Sequence, residues 1–173
     1  MIVSENTIQA VTELIKKCFE ENRAFDRMVS VLGVDFACSN SAELIHKNIA
    51  HAFPALADDF GARCLERYNI SVKYGATPAA EENYNSVEEI IARMEARSID
   101  FQIAIMGVCK ISCDNNDFHV YSDLIEILRG YNNIVEQLIL LHDKIKAYGS
   151  NAMAFDHDIS TFWILGTNNG SIR

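Results

Sequence analysis

Apolar residues recur every three or four positions through most of the chain, the period of a helix buried on one face. From Ser4 to Leu32 the stripe is Ile8, Val11, Ile15, Cys18, Phe25, Val29 and Leu32, with Asn22 on the same line. This predicts one long helix, with Ser4 as its N-cap and Gly33 as its end. A second helix is predicted from Ser39-Asn40-Ser41 to about Tyr74. Its stripe is Ile45, Ile49, Ala52, Leu56 and Phe60, then Cys64, Leu65, Tyr68 and Val72. Pro54 lies inside it, removing one helical hydrogen bond, so a kink or break is expected near Ala50 to Phe53. Gly75 to Pro78 then stops the helix.

Residues 79–85 are polar and form the longest connection. Ser86-Val-Glu-Glu89 has capping-box spacing and opens a third helix. Its stripe is Val87, Ile91, Met94, Phe101, Ile105 and Val108, ending near Cys113. Asp114 to Asp117 reads as a tight turn. A fourth helix follows from Phe118 to about Tyr148, with Tyr121, Leu124, Leu128, Tyr131, Val135, Leu138 and Ile145 on its stripe and Gly149 at its end. A short tail helix is expected over about Asp158 to Leu165, where Phe162 and Trp163 could dock on the bundle or on a neighbour. The last eight residues read as a frayed end. Short first and third connections make those helix pairs antiparallel. The second connection is long enough to cross the bundle, although an up-down-up-down arrangement fits it too.

Composition narrows this picture. The chain has 173 residues, 49% hydrophobic and 23% charged, the profile of one globular domain. With 8 Gly and 2 Pro it lacks the turn residues of a β-sandwich or barrel. A net charge of −9 with only 15 basic residues argues against a nucleic-acid coat. No stretch approaches the roughly 18 apolar residues of a membrane span, and no signal peptide is evident. Five scattered cysteines without a CxxC suggest a reduced, cytoplasmic setting. Cys109 and Cys113 are one helical turn apart. No Gly-x-Ser-x-Gly or phosphate-cradling loop is present.

Candidate chemistry is confined to a few polar residues. Glu43 and His46 are three apart, so a carboxylate and an imidazole share one helix face and could bind one metal. The plainer reading is a dipole-favoured Glu and an exposed His. His51 sits beside the Pro54 kink, with Asp58 and Asp59 one or two turns on, and could complete an oxygen-rich site. Otherwise these three form a solvated polar face. Glu21 flanks the first stripe, near His46 to His51 in an antiparallel hairpin, and Glu95 holds the matching flank of the third helix. Either could be a ligand or an edge residue reaching water. His142 on the fourth stripe reads as a buried imidazole bonded to a carbonyl or an acid. Asp156-His-Asp158 reads as a cap.

Three stretches give the chain a family likeness. Glu43-Leu-Ile-His46 has the Glu-x-x-His form of ferritin-like di-iron helices. His46-Lys-Asn48-Ile49 with Phe53-Pro-Ala-Leu56 and Phe60 is similar to the run His-x-Asn-Val, Phe-x-x-Leu-His-x-x-Phe of the DNA-protection-during-starvation (Dps) branch. Lys73-Tyr-Gly-Ala-Thr-Pro78 resembles that branch's Leu-Gly-Gly-x-Pro exit, and Asp114 to Leu124 its entry into the last helix. The chain thus resembles the ferritin-like superfamily, nearest Dps and bacterioferritins, over about Ser4 to Tyr148. The resemblance implies a four-helix bundle with a long crossover between helices 2 and 3. It implies iron as cofactor, ferroxidase-type oxidation of Fe(II), and storage or oxidative-stress protection in a homo-oligomer. Glu43, His46, His51, Asp58, Glu21 and Glu95 are its candidate metal residues.

There are departures. Ala57 stands where Dps has a histidine, with Asp58 next. The fourth helix has Asp123 and Glu126 in place of a second Glu-x-x-His, and there is no Lys-rich tail for DNA. These leave a second expectation: a metal-free four-helix bundle that serves as an interaction or scaffold protein. A small-molecule binder in the bundle core is a third.

Overall fold

The computed structural model describes residues 2–149 and 151–166, and all regular structure among them is helical. Helix α1 is Glu5–Val34, α2 Ser39–Ile45, α3 Ala52–Cys64, α4 Val87–Asp114, α5 Phe118–Tyr148 and α6 Ala152–Asp158. A π-turn, His46–Ala50, joins α2 to α3, and 3-10 turns follow α3 (Glu66–Tyr68) and α6 (Ile159–Phe162).

The predicted stripes are the faces that meet. Val11, Ile15, Cys18, Phe25 and Leu32 of α1, Phe101 and Ile105 of α4, and Leu124 and Leu138 of α5 are essentially without exposure. α1 packs on α2, α3 and α4, and α5 packs on α4 and α3, with the α4–α5 pair the most extensive. Side-chain bonds fix the directions. Asp117, at the turn between α4 and α5, accepts hydrogen bonds from the Ser4 backbone N–H (3.2 Å) and the Ser4 hydroxyl (2.6 Å) at the start of α1. Burial alone would raise the Asp117 pKa, but bonds from Ser4 and Thr7 outweigh it and hold the carboxyl below its usual range. At the other end of α3, Arg63 and Arg67 reach Asp123 in the first turns of α5.

Several boundaries differ from the sequence expectation. Gly33 lies inside α1, where a Cβ would stand 3.4 Å from that of Ala42, so it marks the close approach of α1 and α2. The helix closes later. Cys38 N–H bonds Leu32 C=O across Ala37, which holds a left-handed φ of 55°. The second helix ends at Cys64, not near Tyr74. Asn69 takes the left-handed turn (φ 60°), and the chain from Ile70 leaves without regular structure. Val72 folds back against Gly61, so its place on the stripe records packing of a non-helical segment and not helix. Residues 69–86 then pass along α1. The Tyr74 ring meets Phe19 at 5.9 Å, Gly75 lies over the Lys16 stem, and Arg27 bonds the Glu82 carbonyl at 3.0 Å.

The break at Pro54 is compensated across helices. Pro54 sits in the first turn of α3 and has no N–H for the Ala50 carbonyl. Asn22 of α1 supplies the missing donor, Nδ2 to Ala50 O at 3.0 Å. That explains a polar residue on the α1 stripe.

The tail helix begins at Ala152, six residues earlier than expected, because Asn151 caps it through Ala154 N–H. Phe155, Phe162 and Trp163 dock on the bundle, helped by Gln137, whose amide oxygen accepts from Ile164 and Leu165. Of the end expected to fray, residues 167–173 lie outside the described residues. Asp156 is a cap, as expected, but for a different helix. Its carboxylate is 4% exposed and accepts from Ser41 N–H (2.7 Å) and Asn40 N–H (3.4 Å), closing the start of α2 where Cys38 offers no side-chain bond. Asp156→Ala is expected to lower stability by about 1–2 kcal/mol, measured by chemical denaturation. A loss no larger than that of Asp143→Ala, on the exposed side of α5, would show that the tail does not hold α2.

Candidate functional site

The centre of the helix cluster is aromatic. Phe53, two residues into α3, meets Phe25 of α1 at 5.0 Å, Phe101 of α4 at 5.4 Å and Tyr131 of α5 at 6.3 Å between ring centroids. Phe101 and Tyr131 meet at 5.1 Å. These separations and tilts suit attractive edge and offset packing. The Tyr131 hydroxyl is satisfied by Ser98, 2.8 Å from its Oγ and 3.2 Å from its carbonyl. Helices α1, α3, α4 and α5 thus each contribute a ring to this centre.

The two inward acids already have partners. Glu21 is 2% exposed. Arg97 Nε bonds its carboxylate at 2.8 Å, and Lys17 stands at 3.7 Å. Burial raises its pKa, and Arg97 pulls it part of the way back. Glu95 bonds the Nδ1 of His142 across the α4–α5 seam, which is the acid-bound imidazole expected for His142. On α5, the acids Asp123 and Glu126 are held by Arg63 at 2.7 and 2.5 Å.

The remaining candidates face outward. His46 lies 3.5 Å from Asp26 of α1, each side chain about half exposed, and its ring contacts His51 at 4.3 Å between centroids. The π-turn produces that contact, because an i→i+5 turn brings residues five apart onto one face. Glu43 is exposed and lines a surface groove of about 290 Å³ with His157, and no bond or ion pair joins it to His46 among the described residues. Asp58 is exposed. Asp59 is exposed too and borders a groove of about 650 Å³ between α3 and α5, with Leu56, Arg63 and Ile134. Among the described residues, no three or more His, Cys, Asp or Glu side chains gather as a metal-holding group.

Sequence reasoning missed Arg97 and Asp26. Arg97 had a readable signal: a long basic residue between Met94 and Phe101 on a core stripe needs an acid opposite. Asp26 had none, since its pairing depends on how the π-turn aims His46. Four of the five cysteines are closed off from solvent, and Cys113 at the end of α4 is exposed. Cys18, Cys38, Cys64 and Cys109 are buried, and burial pushes the Cys38 thiol up to about 11 and Cys64 up to about 12. No helix is long and apolar enough to cross a membrane among the described residues. No protein-family model matches the chain, and no curated protein matches it.

Proposed function

We infer that this chain is a ferritin-like four-helix bundle that acts as an interaction protein and has no di-iron centre. The ferritin-like architecture is supported by three features together. α1 pairs antiparallel with α2–α3, α4 pairs antiparallel with α5, and residues 69–86 return along α1 so that α3 and α4 run the same way.

The observation that carries the functional reading is the ring cluster. Phe25, Phe53, Phe101 and Tyr131 fill the middle of the bundle with rings, whereas a di-iron site in such a bundle is built from inward carboxylates and histidines. Glu21 and Glu95, the acids nearest that axis by sequence, are bonded to Arg97 and His142. The residues present therefore do not fit a di-iron group.

The test is aerobic addition of Fe(II) to the purified protein, followed by absorbance in the ferric-oxo region. Oxidation no faster than in buffer is expected. Protein-dependent oxidation that survives His46→Ala with His51→Ala would place a metal in the interior and overturn the reading.

A second reading has one observation in its favour. His46 and His51 share one face with Asp26 close by, which would let iron or another transition metal bind on the outside of the π-turn. Under that reading, oxidation is seen and the same double variant removes it.

A further inference from the structure

Helix α4 carries its apolar stripe toward the core, yet its opposite face is also apolar at the middle. Ile103 is 57% exposed, Met106 51% and Ile111 37%. Gly107 lies among them, with nothing within 4 Å of where a Cβ would be. Beside it runs a groove of about 280 Å³ between α1 and α4, with Leu14, Ala104, Gly107 and Ile111 along it and Glu13 and Lys17 of α1 also in its lining. Scattered apolar side chains need no explanation, but a contiguous exposed set next to an apolar groove marks a docking face.

The charges on this face identify what docks there. Asp100 is exposed and lies one helical turn before Ile103. It makes no ion pair among the described residues. Lys110 lies one turn after Met106 with its side chain 75% exposed, and among the described residues its ion pair is with the exposed Asp114 on its own helix. Such a pair is worth little and can be exchanged. Around a point near Ile105 the outer face is thus self-complementary: acid, apolar centre, base. If a second α4 is laid antiparallel across it by a two-fold axis, residue i faces residue 210 − i, a sum set by that centre. Asp100 then meets Lys110 of the second copy within reach of the lysine stem, and Lys110 meets Asp100. Ile103 packs over Gly107, where the missing side chain lets it approach the backbone at the mouth of the groove.

We propose that the outer face of α4 is a two-fold homodimer interface, centred on Ile103, Met106 and Gly107 and closed at both ends by Asp100–Lys110 pairs between copies. It names a partner for the binding role inferred above and rests on that reading. Iron oxidation tests the metal-free interior and self-association tests the contact, so each can fail alone.

The experiment is sedimentation equilibrium of the full chain with charge swaps, with far-UV circular dichroism confirming that each variant is folded. Wild type is expected to dimerise. Asp100→Lys and Lys110→Asp each place like charges together twice per dimer, and each is expected to raise the dimer dissociation constant about tenfold or more. The double variant Asp100→Lys/Lys110→Asp restores opposite charges and recovers wild-type association. Ile103→Glu, at a site already exposed in the single chain, dissociates the dimer while leaving the helix content unchanged. A monomeric wild type overturns the proposal. So does an oligomer indifferent to Ile103→Glu, or a double swap that associates no better than the single variants.

Discussion

Arg97→Met is expected to be among the most destabilising changes in this protein, costing about 3–5 kcal/mol at pH 7. For a chain of 173 residues that is a fall of roughly 6–20 °C in Tm. The reason is an asymmetry between the partners. Glu21 has 3% of its side chain exposed and depends on Arg97 Nε at 2.8 Å, with Lys17 more distant. Arg97 keeps 22% of its side chain in solvent and has Glu20 at 3.9 Å as a second acid. Removing the arginine leaves a buried carboxylate without its main counter-charge. Removing the carboxylate leaves a guanidinium that still reaches water, so Glu21→Gln is expected to cost much less.

The pH dependence follows from the direction of the Glu21 shift. Its folded pKa is raised, chiefly by burial, above the ordinary 4.5. The stability linked to a raised pKa is present in full below the unfolded value and is lost as pH rises through the folded one. Arg97 limits that loss, and Arg97→Met raises the folded pKa further. The deficit of the variant should therefore be small near pH 4.5 and reach its full size by pH 7. Urea denaturation of both proteins at the two pH values measures it, and the double variant Glu21→Gln/Arg97→Met should recover most of the loss. An equal deficit at both pH values would mean that lost packing of the arginine stem, and not the stranded charge, is responsible.

The long helices were legible because burial on one face writes a three-to-four repeat into the chain. The capping box was legible for the same local reason. Ser86 Oγ accepts from Glu89 N–H at 3.0 Å, and the Glu89 carboxylate reaches back to Asn85 N–H at 2.7 Å. What could not be read is what one segment does for another. Asp156 caps α2 from the tail, and Asp117 closes the start of α1 from the turn before α5. Tyr68 and Val72 keep the helical spacing of α3 although one lies in the 3-10 turn and the other beyond it, because a segment pressed on a helix is partly buried as well. The Pro54 break was expected, but its remedy, the Asn22 amide on the Ala50 carbonyl, lies on another helix.

The candidate site shows the same limit more sharply. Glu43 and His46 share a face on a regular helix, and that spacing suggested a ligand pair. The chain changes period at His46. With hydrogen bonds spanning five residues, the wider turn brings His46 beside His51, which a regular α-helix would place well round the cylinder from it. A one-residue change of period moves a side chain to a new face, and nothing in the local composition of His46-Lys-Asn-Ile-Ala50 announces it.

Phe53→Ala is expected to cost about 3–5 kcal/mol, the range for truncating a large ring in a closed core. Phe53 has no exposure and touches rings from α1, α4 and α5. Three of its neighbours are themselves rings held by their own helices, so the vacated space cannot close by a rotamer change alone. The loss combines the transfer energy of the ring, the residual cavity and the edge contacts with Phe101 and Phe25. Phe53→Leu keeps most of the volume but not the edge contacts, and should fall between wild type and alanine. Denaturation midpoints at constant m-value give the comparison. Dependence on this one ring is what separates a bundle closed by hydrophobic packing from one whose centre is kept open for a ligand. An open centre has room to spare, and there truncation would cost about 1.5–3 kcal/mol, the transfer energy without the cavity term. A result in that lower range would remove the support that the ring cluster gives to a metal-free interior.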